Sequence, residues 1–391
     1  MSTRLIYPAR RAVEHAVTVA GVRPRRLFPV LWPLWQVETT ATFYDEQPYD
    51  LVDRFLVRAV TEAELTRVDE LVAFLGVPEA WARRCLRYLS VIGHIRLDGD
   101  LVRMTELGLS SARDGLRYVY QTESRQDILV ERFTGRPLPR SHYAGSVEVL
   151  PSWTVDQGQL ADRSRFRPLN APAAFRRELV EQLVDRPDRT ELNLPAQLRH
   201  LRVVEDRDGF LPAYVVETVD SGLLVYTAAA ADRDAFFEAA CREAPVVHSV
   251  IDAEEPGDPR QIWTEWLAGP KTIRRGTLRQ LSSGIWRATL HEDSFGGASK
   301  LPLTRLGSFE LRKHHFLQLW CQDAELRRRA AHERGLGLAT TREVRTLVHL
   351  ESRVAELAVQ LEVRAPTVAE LRAYGEQHGM HAHVARLDQL E

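Results

Sequence analysis

The sequence predicts an α+β multidomain protein, and three observations support that class. Residues 35–43 alternate between apolar and polar side chains, which is typical of a half-buried strand. Between residues 49 and 118, apolar residues recur at helical spacing around one short hairpin. After residue 200, short apolar runs alternate with helical stretches. We therefore expect a small helical domain near the N-terminus, then a mixed α/β region, then C-terminal helices.

The chain divides into five predicted segments, each with its own pattern. In chain order they are a basic N-terminal segment with a strand (1–48), the helical domain (49–118), a proline-rich connector with one helix (119–200), an α+β domain (201–340) and a helical segment with a final strand (341–391). The connector helix is predicted at 173–184. A long helix is predicted at 341–364, and the final strand at 381–387.

Within the predicted α+β domain, apolar runs and turn residues indicate the order of elements. Two strands, 201–204 and 213–216, flank a turn that contains Asp208 and Gly209, because Asp-Gly favours a tight hairpin. The apolar run 246–251 predicts a further strand, and residues 316–334 predict a helix.

Composition excludes several classes of protein. Of 391 residues, 44% are hydrophobic and 27% charged, so disorder of the whole chain is not expected. No run of about 18 apolar residues occurs, which predicts no membrane span. The N-terminus lacks the apolar stretch of a secretory signal. Three distant cysteines, Cys85, Cys241 and Cys321, favour a reducing compartment, so a cytoplasmic location is expected.

Familiar catalytic signatures do not occur in the chain. Its three lysines, Lys271, Lys300 and Lys313, lack the preceding glycine of a P-loop and the serine three residues before that Ser-x-x-Lys requires. There is no Cys-x-x-Cys, no Gly-x-Ser-x-Gly, no Gly-x-Gly-x-x-Gly and no complete His-Glu-x-x-His. We therefore expect no cofactor and no resident metal, and a non-enzymatic role is favoured.

The most informative stretch runs from residue 50 to residue 113. Apolar residues predict three successive helices, and the third has three arginines on its exposed side, Arg83, Arg84 and Arg87. A hairpin with an Asp98-Gly99 turn follows, and then a last helix. The local sequence is distinctive in three places: Phe74-Leu75-Gly76-Val77-Pro78-Glu79, then Leu86-x-x-Leu89-x-x-x-Gly93-His94-Ile95, then Thr105-Glu106-Leu107-Gly108.

This order of elements, together with these three sequence motifs, resembles the winged helix-turn-helix superfamily, in particular its MarR-like regulators. The resemblance covers about one sixth of the chain. It implies that the third helix enters a DNA major groove and that the hairpin wing touches the backbone or the minor groove. Carried over by position, it places three sets of residues at DNA: Arg83, Arg84 and Arg87 on the helix, Trp81 and Tyr88 beside them, and Arg96 and Arg103 on the wing.

The charge of this stretch leaves a second interpretation open. Residues 50–117 contain ten basic and eleven acidic residues, whereas a DNA-binding domain is usually basic. The tip of the hairpin, Asp98-Gly99-Asp100, would also repel phosphate. A winged helix that holds a protein partner or a neighbouring domain is therefore the alternative.

A second basic segment lies at residues 271–334. Five basic residues and no acidic one occur between positions 271 and 287: Lys271, Arg274, Arg275, Arg279 and Arg287. Over the whole segment 13 basic residues face six acidic ones, and tryptophans lie in and near it, at 263, 266, 286 and 320. Basic residues with aromatic residues suit a groove that follows a nucleic-acid backbone. The alternative is that the tryptophans are core and the arginines a solvated face.

A seam of apolar residues lies in the predicted long helix. Its members follow a 3-4-3-4 spacing: Leu347, Leu350, Val354, Leu357 and Leu361. Such a seam can pair with a helix of a partner or of a second copy, although two heptads more often pack inside their own domain.

Taken together, these features predict a cytoplasmic nucleic-acid-binding protein, either a regulator or the DNA-reading subunit of a larger complex. The first alternative is a protein–protein scaffold whose winged helix binds partner subunits. The second is a metal-dependent nuclease or other phosphodiester enzyme without a recognisable motif.

Overall fold

The computed structural model describes most of the chain. The described residues are 6–143, 147, 149–152, 166–171, 173–195, 198–219, 222–255, 257–269, 275–296, 300–341 and 344–390.

Helices and strands both occur along the whole described chain, which confirms the α+β class. The α-helices are α1 (Ala9–Thr18), α2 (Leu51–Thr61), α3 (Val68–Leu75), α4 (Glu79–Val91), α5 (Glu106–Asp114), α6 (Glu178–Glu181), α7 (Ala235–Glu243), α8 (Pro245–Asp252), α9 (Pro259–Ala268), α10 (Ala324–Ala339), α11 (Leu347–Leu361), α12 (Val368–Gln377) and α13 (His381–Leu387). The strands are β1 (Pro24–Pro48), β2 (Ile95–Asp98), β3 (Leu101–Met104), β4 (Leu116–Glu131), β5 (Leu150–Pro151), β6 (Arg167–Pro168), β7 (Leu198–Thr218), β8 (Leu223–Thr227), β9 (Gly276–Gln280), β10 (Trp286–Leu290), β11 (Phe309–Arg312) and β12 (His315–Trp320).

The principal sheet is built on three long antiparallel strands, with β1 between β4 and β7. Its order is β4-β1-β7-β5, with β6 on β1 and β8 on β7. The first half of β1 is apolar at almost every position because both faces of the sheet are covered there. Phe28 and Val30 pack on one face, whereas Leu27 and Leu31 pack on the other. The sequence pattern indicated only the alternating second half of this strand.

Strand β7 corrects the predicted turn at Asp208-Gly209. The strand continues through both residues, which pair with Trp35 and Leu34 of β1. Gly209 permits a close approach instead: a Cβ atom there would lie 2.3 Å from Cγ1 of Val149, just before β5. The dipeptide therefore lies where two chain segments cross closely, and not at a hairpin tip.

The helices and hairpin at residues 51–114 form an insertion between β1 and β4, which we call the inserted unit. It contains α2, α3, α4, the β2–β3 hairpin and α5 in that order. The two strands that carry it belong to one sheet and pair with each other at Pro48 and Leu116. The predicted division at residues 48, 118 and 200 therefore cuts through a single sheet, because β4 continues into the predicted connector and β7 begins inside it.

A second, four-stranded sheet has the order β11-β12-β10-β9, with β10 and β12 parallel. Its core contains Trp263 and Trp266 of α9 together with residues of α10 and α11. The predicted helix at 316–334 is wrong in its first part, because β12 occupies 315–320 before α10 begins. All six residues of β12 are buried, and a short, largely apolar run has no period that separates strand from helix.

Three further predictions are corrected. Residues 246–251 belong to helix α8, which starts at Pro245 and buries Val247 and Ile251 one turn apart. Residues 381–387 form helix α13 and not a final strand. The connector helix is shorter than predicted, with α6 at Glu178–Glu181 followed by a 3₁₀ turn at Gln182–Asp185.

The apolar seam of α11 is core. Leu350, Val354 and Leu361 are at most 2% exposed and pack in clusters shared with α10. The proposed pairing with a partner or a second copy through 341–364 is therefore wrong for this seam, since its side chains are already covered. Within the described ranges, no helix has the length and the apolar character to cross a membrane.

Candidate nucleic-acid interface

The inserted unit is attached to the principal sheet by short, hydrogen-bonded connections. Only two residues separate β1 from α2, and one residue, Gly115, separates α5 from β4. Arg117, at the start of β4, donates hydrogen bonds to Asp50 at 2.9 Å and to Gln47 at 2.7 Å. The guanidinium of Arg117 also lies over the ring of Tyr88 on α4, at 5.4 Å.

His94 forms a second tie between the unit and the sheet. Its side chain is fully buried, with Nε2 2.7 Å from the carbonyl oxygen of Tyr118 and Nδ1 3.0 Å from the hydroxyl of Tyr49. These partners lie just outside the two ends of the unit. Burial lowers the pKa of His94, and the nearby Arg117 guanidinium acts in the same direction, against the Tyr118 carbonyl.

This burial predicts a loss of stability in mild acid. The pKa of His94 is lower in the folded chain than its usual 6.5, so below about pH 6.5 the unfolded chain takes up a proton first. Burial lowers the pKa of His15 beside Tyr226 as well, and adds to the effect. The melting temperature should therefore be highest above pH 7 and fall as the pH drops from 7 towards 5.5.

Thermal unfolding at stepped pH values measures this dependence. The variant His94→Gln should melt lower at pH 7.5, since the Tyr118 carbonyl loses its usual partner, but should show a shallower pH dependence. His248→Gln, at an exposed position on α8, is the control and should keep the parent's pH dependence. A slope unchanged by His94→Gln would contradict the role of this histidine.

Helix α4 presents a mixed basic and aromatic surface. Ala82, Leu86 and Leu89 are buried against the rest of the unit. The opposite side, which we call the α4 face, consists of five exposed side chains: Trp81, Arg84, Arg87, Tyr88 and Val91. Arg84 lies at its centre, since the other four positions are three, four or seven residues away from it along the helix. Neither Arg84 nor Arg87 forms an ion pair with another described residue, although Arg87 donates to the carbonyl of Arg83.

Arg83 differs from its two neighbours because its charge is already compensated. Its guanidinium donates to Glu79 one turn earlier, at 2.8 Å, and to Asp100 of the hairpin, at 2.7 Å. The contact with Asp100 ties α4 to the tip of the β2–β3 hairpin. Of the three arginines predicted to face DNA from this helix, two therefore have side chains available to contact a ligand, and the third joins the helix to the hairpin.

The hairpin places two arginines directly opposite each other. Arg96 of β2 pairs in register with Arg103 of β3, and both side chains are exposed. Like charges at facing positions of two strands destabilise the pair. A bound anion would remove this repulsion, so the hairpin carries a position suited to an anionic ligand.

Six of the eleven acidic residues at 50–117 form ion pairs with arginines of the same stretch. Ion pairs connect Arg58 to Glu62, Arg67 to Asp69, Arg83 to Glu79 and Asp100, and Arg117 to Asp50 and Asp53. A net charge near zero therefore conceals an uneven distribution. On α4 and the hairpin, four guanidinium groups have no ion pair within the described part of the chain: Arg84, Arg87, Arg96 and Arg103.

Fewer side chains of the predicted basic segment at 271–334 can contact a nucleic acid than its composition suggests. Lys271 and Arg274 lie outside the described residues. Arg275 and Arg279 are exposed around β9. Arg287 is 8% exposed and donates to Gln318, with Trp320 beneath its guanidinium at 4.1 Å.

Several other arginines of that segment stabilise the fold. Arg327 donates to the carbonyls of Leu361 and Glu362 at the end of α11, and Arg334 pairs with Glu14 of α1. Trp263, Trp266 and Trp320 are at most 2% exposed, so they are core and provide no stacking surface. Of the five basic residues predicted to form the distal surface at 271–287, Arg275 and Arg279 are the exposed ones within the described ranges, and Arg312, Lys313, Arg328 and Arg329 are exposed later in the segment.

No group of three or more histidine, cysteine, aspartate or glutamate side chains that could hold a metal occurs among the described residues. Asp206 and Asp208 lie on β7, and Asp208 pairs with Arg132.

Comparisons with family models, with curated proteins and with solved structures find no match to the chain. The function of the chain is therefore inferred from its own geometry.

Proposed function

We propose that the chain binds double-stranded DNA through the inserted unit, which acts as a winged helix-turn-helix. In this proposal α4 enters the major groove and the β2–β3 hairpin is the wing. The protein is a non-enzymatic regulator or the DNA-reading subunit of a larger complex. Its three cysteines are free thiols, which fits the reducing cytoplasm expected for such a protein.

One observation carries this proposal: on two adjoining elements, α4 and the hairpin, lie four arginines that form no ion pair with any residue that the structure describes. Arg83 and Asp100 hold those elements together at 2.7 Å, so the two surfaces keep a fixed relation. Arginine can donate two parallel hydrogen bonds to guanine or to phosphate. In this proposal Arg84 and Arg87 read bases, and Arg96 and Arg103 contact the backbone.

The first experiment compares two double variants in a DNA-binding titration at several salt concentrations. Arg84→Gln with Arg87→Gln should lose sequence preference and weaken binding about 5-fold to 150-fold per base-reading arginine, since each contributes about 1–3 kcal/mol. Arg96→Gln with Arg103→Gln should weaken binding to all sequences and flatten the salt dependence by about one unit per lost phosphate contact.

Arg58→Gln is the matched control within the same unit. Arg58 is exposed on α2 and paired with Glu62, so its replacement should leave DNA affinity unchanged. All variants should melt within a few degrees of the parent, because the changed side chains are exposed. Equal DNA affinity in the parent and in both double variants would overturn the proposal.

The distal surface gives an independent prediction. If Arg275 and Arg279 follow the DNA backbone, Arg275→Gln with Arg279→Gln should flatten the salt dependence without altering sequence preference. Arg199→Gln with Arg202→Gln, on β7, is a control of equal charge change. The same salt dependence in the parent and in the Arg275/Arg279 variant would exclude this surface from DNA binding.

A protein partner is the second candidate, because the inserted unit also exposes large apolar side chains. Leu51 is 70% exposed, Phe74 62% and Val91 84%. Exposed apolar patches mark protein-binding sites when they are contiguous. Absence of DNA binding even at low salt, together with a loss of native complex size in Phe74→Ser, would favour this candidate.

A further inference from the structure

A cavity of about 720 Å³ lies where the principal sheet, α8 and the β11–β12 hairpin meet. Its volume falls in the range of small-molecule sites. Its lining includes Phe28 on one face of the principal sheet and Phe166 and Tyr214 on the other. These rings are at most 9% exposed, so the interior is apolar and aromatic.

The rim of the cavity is cationic. Arg312 and Lys313 are exposed at the tip of the β11–β12 hairpin, and neither forms an ion pair with another described residue. Glu254 is the acidic residue among those that line the cavity, and it accepts a hydrogen bond from Arg167 at 2.7 Å. Three cations against one carboxylate leave two positive charges at the rim when His314 is neutral.

The hairpin that supplies these cations has an unusual backbone. Lys313 and His314 have φ values of 44° and 67°, in the left-handed region that side chains other than glycine rarely adopt. His314 fixes the turn: its carbonyl accepts from the amide of Leu27 at 2.8 Å, and its Nδ1 donates to the carbonyl of Leu27 at 3.0 Å. Both values are what a two-residue type I′ hairpin turn requires, so the turn holds Lys313 and His314 in a defined conformation.

His314 also contributes an aromatic surface. Its ring stacks on Phe28 with the centroids 4.5 Å apart and an interplanar angle of 21°. With Nδ1 donating to Leu27, Nε2 lies 3.9 Å from a carboxylate oxygen of Glu254. The turn thus holds a ring, an ammonium group and a guanidinium group at one mouth of the cavity.

We propose that this cavity binds an aromatic phosphomonoester of about the size of a nucleoside monophosphate. The phosphate lies against Arg312 and Lys313, and the ring system packs against the apolar lining of the cavity. A phosphomonoester carries a charge of about −1.5 to −2 at neutral pH, which matches the two excess positive charges better than a monocarboxylate does. Arginine and lysine are both established phosphate ligands, the first bidentate and the second as a point charge.

Isothermal titration of the full chain with four probes tests the proposal. Adenosine monophosphate and phenyl phosphate carry both features, whereas adenosine and inorganic phosphate carry one each. At least one of the first two should bind at least 10-fold more tightly than the last two. Benzoate, with one negative charge, should bind more weakly than phenyl phosphate.

The variant Arg312→Gln with Lys313→Gln should weaken the binding at least 10-fold. Because both side chains are exposed, the fold should be retained, and an unchanged melting temperature without ligand verifies this. Arg202→Gln with Arg260→Gln, at exposed positions outside the cavity, is the control of equal charge change. No heat of binding for either phosphomonoester at millimolar concentration, or equal affinity in the Arg312/Lys313 variant, overturns the proposal.

Discussion

Replacing Gly108 by alanine should unfold the inserted unit while the principal sheet persists. A Cβ atom at this position of α5 would lie 2.0 Å from the carbonyl oxygen of His94 and 2.8 Å from Cε of Met104. The Met104 side chain can move, but the His94 carbonyl belongs to the backbone between α4 and the hairpin. We expect a loss of about 3 kcal/mol or more, at the upper end of what overpacking costs.

The clash has this effect because the His94 carbonyl is fixed from two sides. It accepts hydrogen bonds from the backbone amide and the hydroxyl of Thr105, both at 3.0 Å. The His94 ring in turn joins Tyr49 and Tyr118 at the two ends of the unit. A shift of this carbonyl therefore disturbs the hairpin, the start of α5 and the attachment to the sheet together.

Hydrogen exchange by mass spectrometry distinguishes local from global unfolding. In Gly108→Ala, peptides from residues 51–114 should lose protection, whereas peptides from β7 and β12 should keep it. Gly337→Ala is the matched control: this glycine lies in α10 with no atom within 4 Å of a Cβ, and alanine should leave stability equal or raise it. Full protection of 51–114 in Gly108→Ala would show that this position has room for a methyl group.

The elements of the inserted unit could be predicted from the sequence because their determinants are local. Helical spacing of apolar residues, Gly76 before α4 and the Asp98-Gly99 turn all act within a few residues. Gly108 belongs to the distinctive sequence motif at 105–108, but the motif alone does not show the physical role of this glycine. That role depends on the His94 carbonyl, fourteen positions earlier, and only the folded chain brings the two together.

The principal sheet could not be predicted because its pairings are distant in sequence. Strand β1 pairs with β4 across the whole inserted unit, and its pairing with β7 joins residues as far apart as Pro24 and Thr218. The short run 315–320 has no usable period, whereas 246–251 has apolar residues at helical spacing and is predicted as a strand only from its apolar composition. Asp208-Gly209 shows the same limitation: a local turn signal was overridden by pairing with β1.

The residues of the candidate interface were predicted correctly as exposed cations on α4 and the hairpin, but the partners of Arg83 were not. Glu79 lies four residues before Arg83, so that ion pair could have been expected from helix spacing alone. The contact of Arg83 with Asp100 needs the hairpin to fold back on α4, which the sequence does not specify. The sequence predicts Arg312 and Lys313 only as part of a basic segment, because the cavity they border is lined by several stretches of chain that are far apart in sequence.

The second large effect is expected at Glu131, which no local sequence pattern marks. This side chain is fully buried at the end of β4. Its Oε1 accepts from Nε1 of Trp32 at 2.9 Å and from the amide of Phe133 at 2.8 Å. Its Oε2 accepts from the amide and the hydroxyl of Thr134, at 2.8 Å and 2.6 Å. One carboxylate thus satisfies four donors, and the indole it holds is a central core residue of the principal sheet.

Glu131→Leu should therefore be among the most damaging single changes in the chain. Each buried donor left without an acceptor costs about 1–3 kcal/mol, and the leucine offers none of the four an acceptor. Glu131→Gln keeps one acceptor oxygen and replaces the other with an amide nitrogen, so it should be damaging but less so. Thr134→Val removes a single hydroxyl donor and leaves the carboxylate in place, with a loss of about 1 kcal/mol.

Urea unfolding followed by tryptophan fluorescence measures this series. The free energy of unfolding should decrease in the order parent, Thr134→Val, Glu131→Gln, Glu131→Leu. If the carboxylate were only filling space, leucine would be tolerated at least as well as glutamine and the last two variants would exchange places. The order of Glu131→Gln and Glu131→Leu thus decides whether hydrogen bonding by Glu131, and not its volume, stabilises the turn after β4 and the position of Trp32 in the core.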